Sequence, residues 1–425
     1  MIQQIQYFKN LEEFLSSSHQ SFQVLDIDLQ NNNKQIGNED VLSLGAGLVK
    51  CTNLSNLTLN LQNNQIDDRI EQKYSHIQMH SEYILKLIIF YFILFYFIFF
   101  FHYNFLYIFL YIIMYLLSVF IFSFSFYMLY IQIDDKGASC LGYYLGLCTN
   151  LSNFTLYLKS SKIGVIGASG LGHGLGKSTS LSNLTLDLCG NKIGNLAVSN
   201  LVSGLGKCSN LSNLTLYLYG NQIGDEDISG LGFGLGNYTN LSNLTLGLSG
   251  NQIGDVSVSG LVSGLGKCTN LSNLTLDLSA NQIYREGLSY LGSGLGNCNN
   301  LSNLTLDLCG NQIQTEGLSY LGSGLGNCNN LSNLTLNLQM NKIGAKGVSF
   351  LCSGLEKCAN LQNLTLYLSY NQIYEKGASD LGSGLRKCTK ILNLTLYLDR
   401  HLQSSQLLKV KCLKSKRLVA LKINY

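Results

Sequence analysis

Residues 271–300 read LSNLTLDLSANQIYREGLSYLGSGLGNCNN, and their apolar positions change period half-way. Leu274, Leu276 and Leu278 alternate with Thr275 and Asp277, the two-residue period of a strand with one buried face. After Asn281 and Ile283 the spacing lengthens. Leu288, Leu291, Leu295 and Cys298 follow at intervals of three, four and three, which predicts one stripe along a helix. The phrase restarts at Leu151, Leu181, Leu211, Leu241, Leu301, Leu331, Leu361 and Ile391, always on a step of 30 residues. A fixed period of roughly 20–50 residues predicts a solenoid. Neither half of the unit can bury its apolar face alone, whereas stacked copies bury both in one continuous core.

The unit resembles the leucine-rich repeat, in the ribonuclease-inhibitor-like class with a full helix in each repeat. The family phrase L-x-x-L-x-L-x-x-N-x-L/I, followed by G-x-x-x-L, stands here as Leu271, Leu274, Leu276, Asn281, Ile283, Gly287 and Leu291. Leu278 departs from it by adding an alternation, which predicts a strand two residues longer than the family's. The resemblance implies an α/β solenoid with a curved parallel β-sheet inside and helices outside. It specifies no ligand; the function expected for such a surface is a non-catalytic scaffold that binds proteins. Two alternatives come with it: a GTPase-activating regulator, as in one branch of the family, or the recognition region of a larger kinase-type protein.

The ends and one interruption depart from the pattern. Residues 1–66 read as an N-terminal cap and the first repeats. Residues 1–18 can form a short helix with Ile5, Phe8, Leu11 and Leu15 on one face. Residues 22–29 are a degenerate strand and 54–61 a regular one, with Val41, Leu44, Leu48 and Cys51 repeating the helix stripe between them. No basic start leads into a small-residue cleavage site, so no secretory signal is expected. Residues 134–398 are the tandem repeats, and 399–425 a capping repeat. In that cap Leu407, Leu408 and Cys412 suggest a shortened helix and 418–423 a last strand. Lys409, Lys411, Lys414, Lys416, Arg417 and Lys422 supply the polar outer face that prevents end-to-end stacking. A nucleic-acid or lipid contact is the less favoured reading of that charge.

Residues 67–133 are an insert, and 84–131 are almost wholly Phe, Tyr, Ile and Leu. Removing 67 residues joins Asn64-Gln65-Ile66 to Asp134-Asp135 in unbroken phase, and the phrase QIDD flanks the segment at both ends. Two readings stand. One is a membrane hairpin, each arm needing about 20 apolar residues, with His102 to Asn104 at the bend and the protein anchored through 84–131. The other is a retained intron. It accounts for the restored phase, the duplicated phrase and a residue set typical of AT-rich codons. It is preferred, so the mature protein is expected to lack approximately residues 67–133.

Composition narrows the function. Only 12% of the 425 residues are charged and the net charge is +3, so neither figure points to nucleic acid. Eight of the 13 cysteines recur at one inward position, among them Cys208, Cys268, Cys298 and Cys328, where a thiol packs as a small hydrophobe. Neighbouring helices are expected about 10 Å apart, beyond the ~7 Å reach of a disulfide, and buried thiols in odd number suit a reducing, cytoplasmic setting. No metal or cofactor is expected. His76 and His80 have no cysteine partners in zinc-binding spacing. Residues 172–178 resemble a phosphate loop, but Leu171 stands where its first glycine is needed. No nucleophile elbow, catalytic loop or paired catalytic carboxylates are found, so no enzyme is expected. The Asn-Leu-Thr sequons at Asn56, Asn183 and Asn213 follow from the repeated strand itself.

Two polar columns remain. Asn64, Asn191, Asn221, Asn251, Asn281, Asn311, Asn341 and Asn371 are expected to form an asparagine ladder that satisfies the backbone of the turn, interrupted at Ser161. The other faces away from the core and changes from copy to copy: Tyr157, Asp187, Tyr217, Gly247, Asp277, Asp307, Asn337, Tyr367 and Tyr397, with Lys159, Tyr219 and Tyr370 just beyond. Tyrosine is large, fairly rigid and amphipathic, the character of an interface anchor. These residues, Gly247 excepted, are the candidate partner-binding set on the concave face of a monomer. The partner's identity is not written in the sequence.

Overall fold

The computed structural model describes residues 5–30, 36–62, 133–194, 196–402, 408, 412 and 417–424. The expected insert lies outside them, save for Ile133 at its end, as do Asn64, Leu407 and the cap lysines other than Lys422.

Among the described residues thirteen strands form one parallel sheet in strict chain order. They are β1 (Ile5–Phe8), β2 (Val24–Asp28), β3 (Asn56–Asn60), β4 (Asn153–Tyr157), β5 (Asn183–Asp187), β6 (Asn213–Tyr217) and β7 (Asn243–Gly247). Then follow β8 (Asn273–Asp277), β9 (Asn303–Asp307), β10 (Asn333–Asn337), β11 (Asn363–Tyr367), β12 (Asn393–Tyr397) and β13 (Ala420–Asn424). From β4 to β12 each strand pairs with its equivalent 30 residues on. β3 and β4 pair in the same register, Asn56 beside Asn153, although 97 residues separate them.

From β2 to β12 each strand leads to the next through a helix, such as Arg285–Gly296, whose Leu288, Leu291 and Leu295 are fully buried. Leu274 and Leu276 meet them from the sheet, and the apolar residues of all repeats join in one core. Among the described residues no helix is long and apolar enough to cross a membrane.

Three local expectations change. The strand is not lengthened: β8 stops at Asp277, although Leu278 is buried and its amide still donates to the Asp307 carbonyl of the next repeat at 2.8 Å. At the N-terminus the helix begins only at Leu11; Ile5–Phe8 is an edge strand paired with β2. Phe8 turns inward against Phe14 and Phe22, with ring centroids 5.5 and 5.7 Å away, while Asn10 caps the helix through Glu12 N. The recurrent cysteines sit just past the helix rather than in its last turn. Cys298 follows the C-cap Asn297, and burial lifts its thiol to about 11.

The helix glycines serve contact between helices of adjacent repeats. A Cβ on Gly292 would stand 2.5 Å from the Tyr320 carbonyl oxygen of the next helix, and one on Gly324 would run into the backbone of Gly292.

Candidate functional site

Polar rows run along the face of the sheet away from the helices and along the turns at both ends of its strands. On the strands themselves lies a continuous amide ladder from Asn56 to Asn393. Asn273, for example, donates to Asn243 Oδ1 at 2.5 Å and to Ser272 Oγ at 2.9 Å, and is in turn bonded by Asn303. These are the asparagines of the sequons. Sequence reasoning noted them only as polar strand positions; their signal was an asparagine at the same register of every regular strand. A second row of amides crosses the repeats at the helix-to-strand turn, as where Asn300 donates to the Thr269 carbonyl at 2.6 Å.

The expected ladder lies behind the sheet's far edge. Asn281 is buried, donates to the carbonyls of Leu248, Leu278 and Ser279 at 3.0–3.1 Å, and accepts from Ile253 N at 3.1 Å. Ser161, in the same column, is also buried.

Between these rows stand the variable residues. Tyr157, on β4, lies beside Asn60 and Asp187 in register, half-buried, with Lys159 exposed beyond it. Tyr217 and Tyr219 stack at 5.8 Å with planes 23° apart. Tyr219 lies over Gly247, whose missing side chain makes the room: a Cβ there would touch the Tyr219 ring at 2.5 Å. Burial, then the nearby Asp277 carboxylate, pushes the Tyr219 hydroxyl well above the usual phenol range.

Asp277 and Asp307 are neighbours on β8 and β9. Asp277 accepts from Ser279 N at 3.0 Å and Ser279 Oγ at 2.7 Å. Asp307 accepts from Cys309 N and from Asn337 Nδ2, both at 2.9 Å. Burial, and secondly the Asp277 charge, raises the Asp307 pKa against those bonds. Asp187 likewise accepts from Cys189 N at 3.0 Å, so each aspartate also pins the turn after its strand.

At the other end Tyr367 and Tyr397, register partners on β11 and β12, stack at 4.2 Å and 7°. Tyr370 stands apart from this face. It is 69% exposed and lines an open cleft of about 830 Å³ with Gln339, Gln372, Tyr374, Asp399 and Arg400. Its φ is +61°, at the turn position that Gly190, Gly220, Gly250 and Gly310 fill in other repeats. The candidate residues thus fall into a sheet-face group and a cleft residue.

Among the described residues no three His, Cys, Asp or Glu side chains gather as they would around a metal ion. Residues 300–322 and 330–352 match the family model described as a leucine rich repeat, and the thirteen-strand parallel sheet with its asparagine ladder extends that pattern along the described chain. Those two stretches are leucine-rich repeats by that match. Two solved structures were found in a comparison of folds. One is Rad7 in the crystal structure of the yeast Rad7–Elc1 complex, with 16% identity, 93% of this chain and 77% of that chain covered, and a TM-score of 0.43. The other is internalin C2 from Listeria monocytogenes, with 16% identity, 68% and 76% covered, and a TM-score of 0.25. In a comparison with curated proteins none matches.

Proposed function

We propose that this leucine-rich-repeat protein is a non-catalytic scaffold whose open sheet face binds a protein partner. One observation supports it above the others. The columns that hold the fold (the core leucines, the two asparagine ladders, the threonines) scarcely change between repeats, whereas the half-buried column on the open face of the same strands runs through Tyr, Asp, Gly and Asn. The face is also uncovered, which is unusual for an all-parallel sheet, most of which have helices on both sides.

The test is a pull-down with the full chain, mass spectrometry of what is retained, and titration calorimetry with that partner. Tyr217→Ala and Tyr367→Ala should each weaken binding with the circular dichroism spectrum unchanged. Truncating an anchor tyrosine costs about 2 kcal/mol or more, roughly thirtyfold in affinity at ~1.4 kcal/mol per tenfold. Ser293→Ala, on a helix of the opposite side, should change nothing. Parent-like binding by both tyrosine variants would refute the proposal.

A further inference from the structure

The open face has a charge that this chain leaves unbalanced. From β6 to β11 the residues on that face are Asn and Thr, then Tyr217, Gly247, Asp277, Asp307, Asn337 and Tyr367, and beyond them Tyr, Ser, Cys and Gln. None of these face positions is Lys or Arg. Asp277 and Asp307 stand side by side in the middle, and the donors given above for both are neutral: hydroxyl, amide and backbone N–H. Neutral donors hold a carboxylate in place without cancelling its charge, and each carboxylate can accept about four hydrogen bonds.

Aromatic groups flank this pair on both sides. Tyr217 lies two strands before Asp277, with its stacking partner Tyr219 reaching over Gly247 toward that carboxylate, and the Tyr367–Tyr397 stack begins two strands after Asp307. Strands lie about 4.8 Å apart, so the Tyr217 and Tyr367 positions are about 24 Å apart. Extended chain rises about 3.3 Å per residue, so a segment of roughly seven residues crossing the strands would span from one stack to the other.

We infer that the open face takes an extended protein segment with a central arginine or lysine on Asp277 and Asp307 and apolar or aromatic side chains on the flanking tyrosine stacks. This rests on the open face being the binding surface. A cation there gains a charge-assisted bond to a carboxylate pair already desolvated in part. An acidic guest would meet like charge on a stretch, β6 to β11, whose face positions hold no Lys or Arg.

The probe is a library of random 12-residue peptides displayed on phage, panned on the full-length protein. The selected sequences should be enriched in Lys or Arg near the centre. Synthesised, they should bind Asp277→Asn/Asp307→Asn at least tenfold more weakly than the parent protein. A second measurement leaves the protein untouched: replacing the central Lys or Arg of a selected peptide by Gln should cause a similar loss. Peptides that lose affinity to Tyr217→Ala and Tyr367→Ala, but not to the aspartate variant or on the Gln replacement, would overturn the basic guest and leave the binding face standing. Peptides that bind all variants equally, or a selection that enriches no specific binder, would count against both.

Discussion

Asn281 and Asn273 carry the same side chain, yet one is buried with four backbone partners and the other is half-buried between two side chains and a third. Asn281→Ala strips partners from one buried N–H and three carbonyls. A buried polar group left unpaired costs about 1–3 kcal/mol, whereas an ordinary hydrogen bond contributes ~1 kcal/mol net. Thermal melts should therefore place Asn281→Ala well below Asn273→Ala, and equal melting temperatures would contradict the assignment. The Asn281 column was legible because an asparagine recurs at one register just past the strand, where the backbone of a turn must be satisfied. The Asn273 ladder was not, because an amide at the solvent side of a strand looks like any polar position until its equivalents are known to stack. The same limit hid the Tyr219–Gly247 contact. The ring covers the glycine of the next repeat, a relation no spacing within one repeat discloses.

At the scale of the element, most of the strand and helix limits follow from the switch between a two-residue and a three-to-four-residue period. The exception is instructive. Ile5, Phe8, Leu11 and Leu15 have helical spacing, but Ile5 and Leu15 are largely exposed and only Phe8 and Leu11 enter the core. The edge of β2 offers unpaired backbone groups, and pairing with it outweighs a helix whose stripe has nothing to cover. Each helix glycine costs ~1 kcal/mol against alanine, and what it allows is close approach to the backbone of the neighbouring helix. Since each repeat touches only its neighbours, removing residues 241–270 whole should cost far less stability than Leu276→Asp, which buries an unpaired charge at a position with no exposure. Melts of the two variants check this; comparable losses would mean that the repeats are not interchangeable modules.

For the whole molecule, the sequence announces an array with one break. β3 and β4 pair across a separation of 97 residues in the register that every other regular pair reaches at 30, a difference of 67. We expect sequencing of the transcript to show a message without approximately residues 67–133; a message that keeps them would sink the intron reading. The fold was legible because repetition multiplies a weak signal, and the partner was not, because the column proposed to bind it is the one that does not repeat. The most direct test of the account is hydrogen exchange of the full chain with and without its captured partner. The account predicts protection of the strand segments from β6 to β11, around Tyr217, Tyr219, Asp277, Asp307 and Tyr367, with the helices Arg285–Gly296 and Gln314–Leu325 unchanged on their outer side. Protection confined to those helices, with the strand face exchanging as in the free protein, would contradict it.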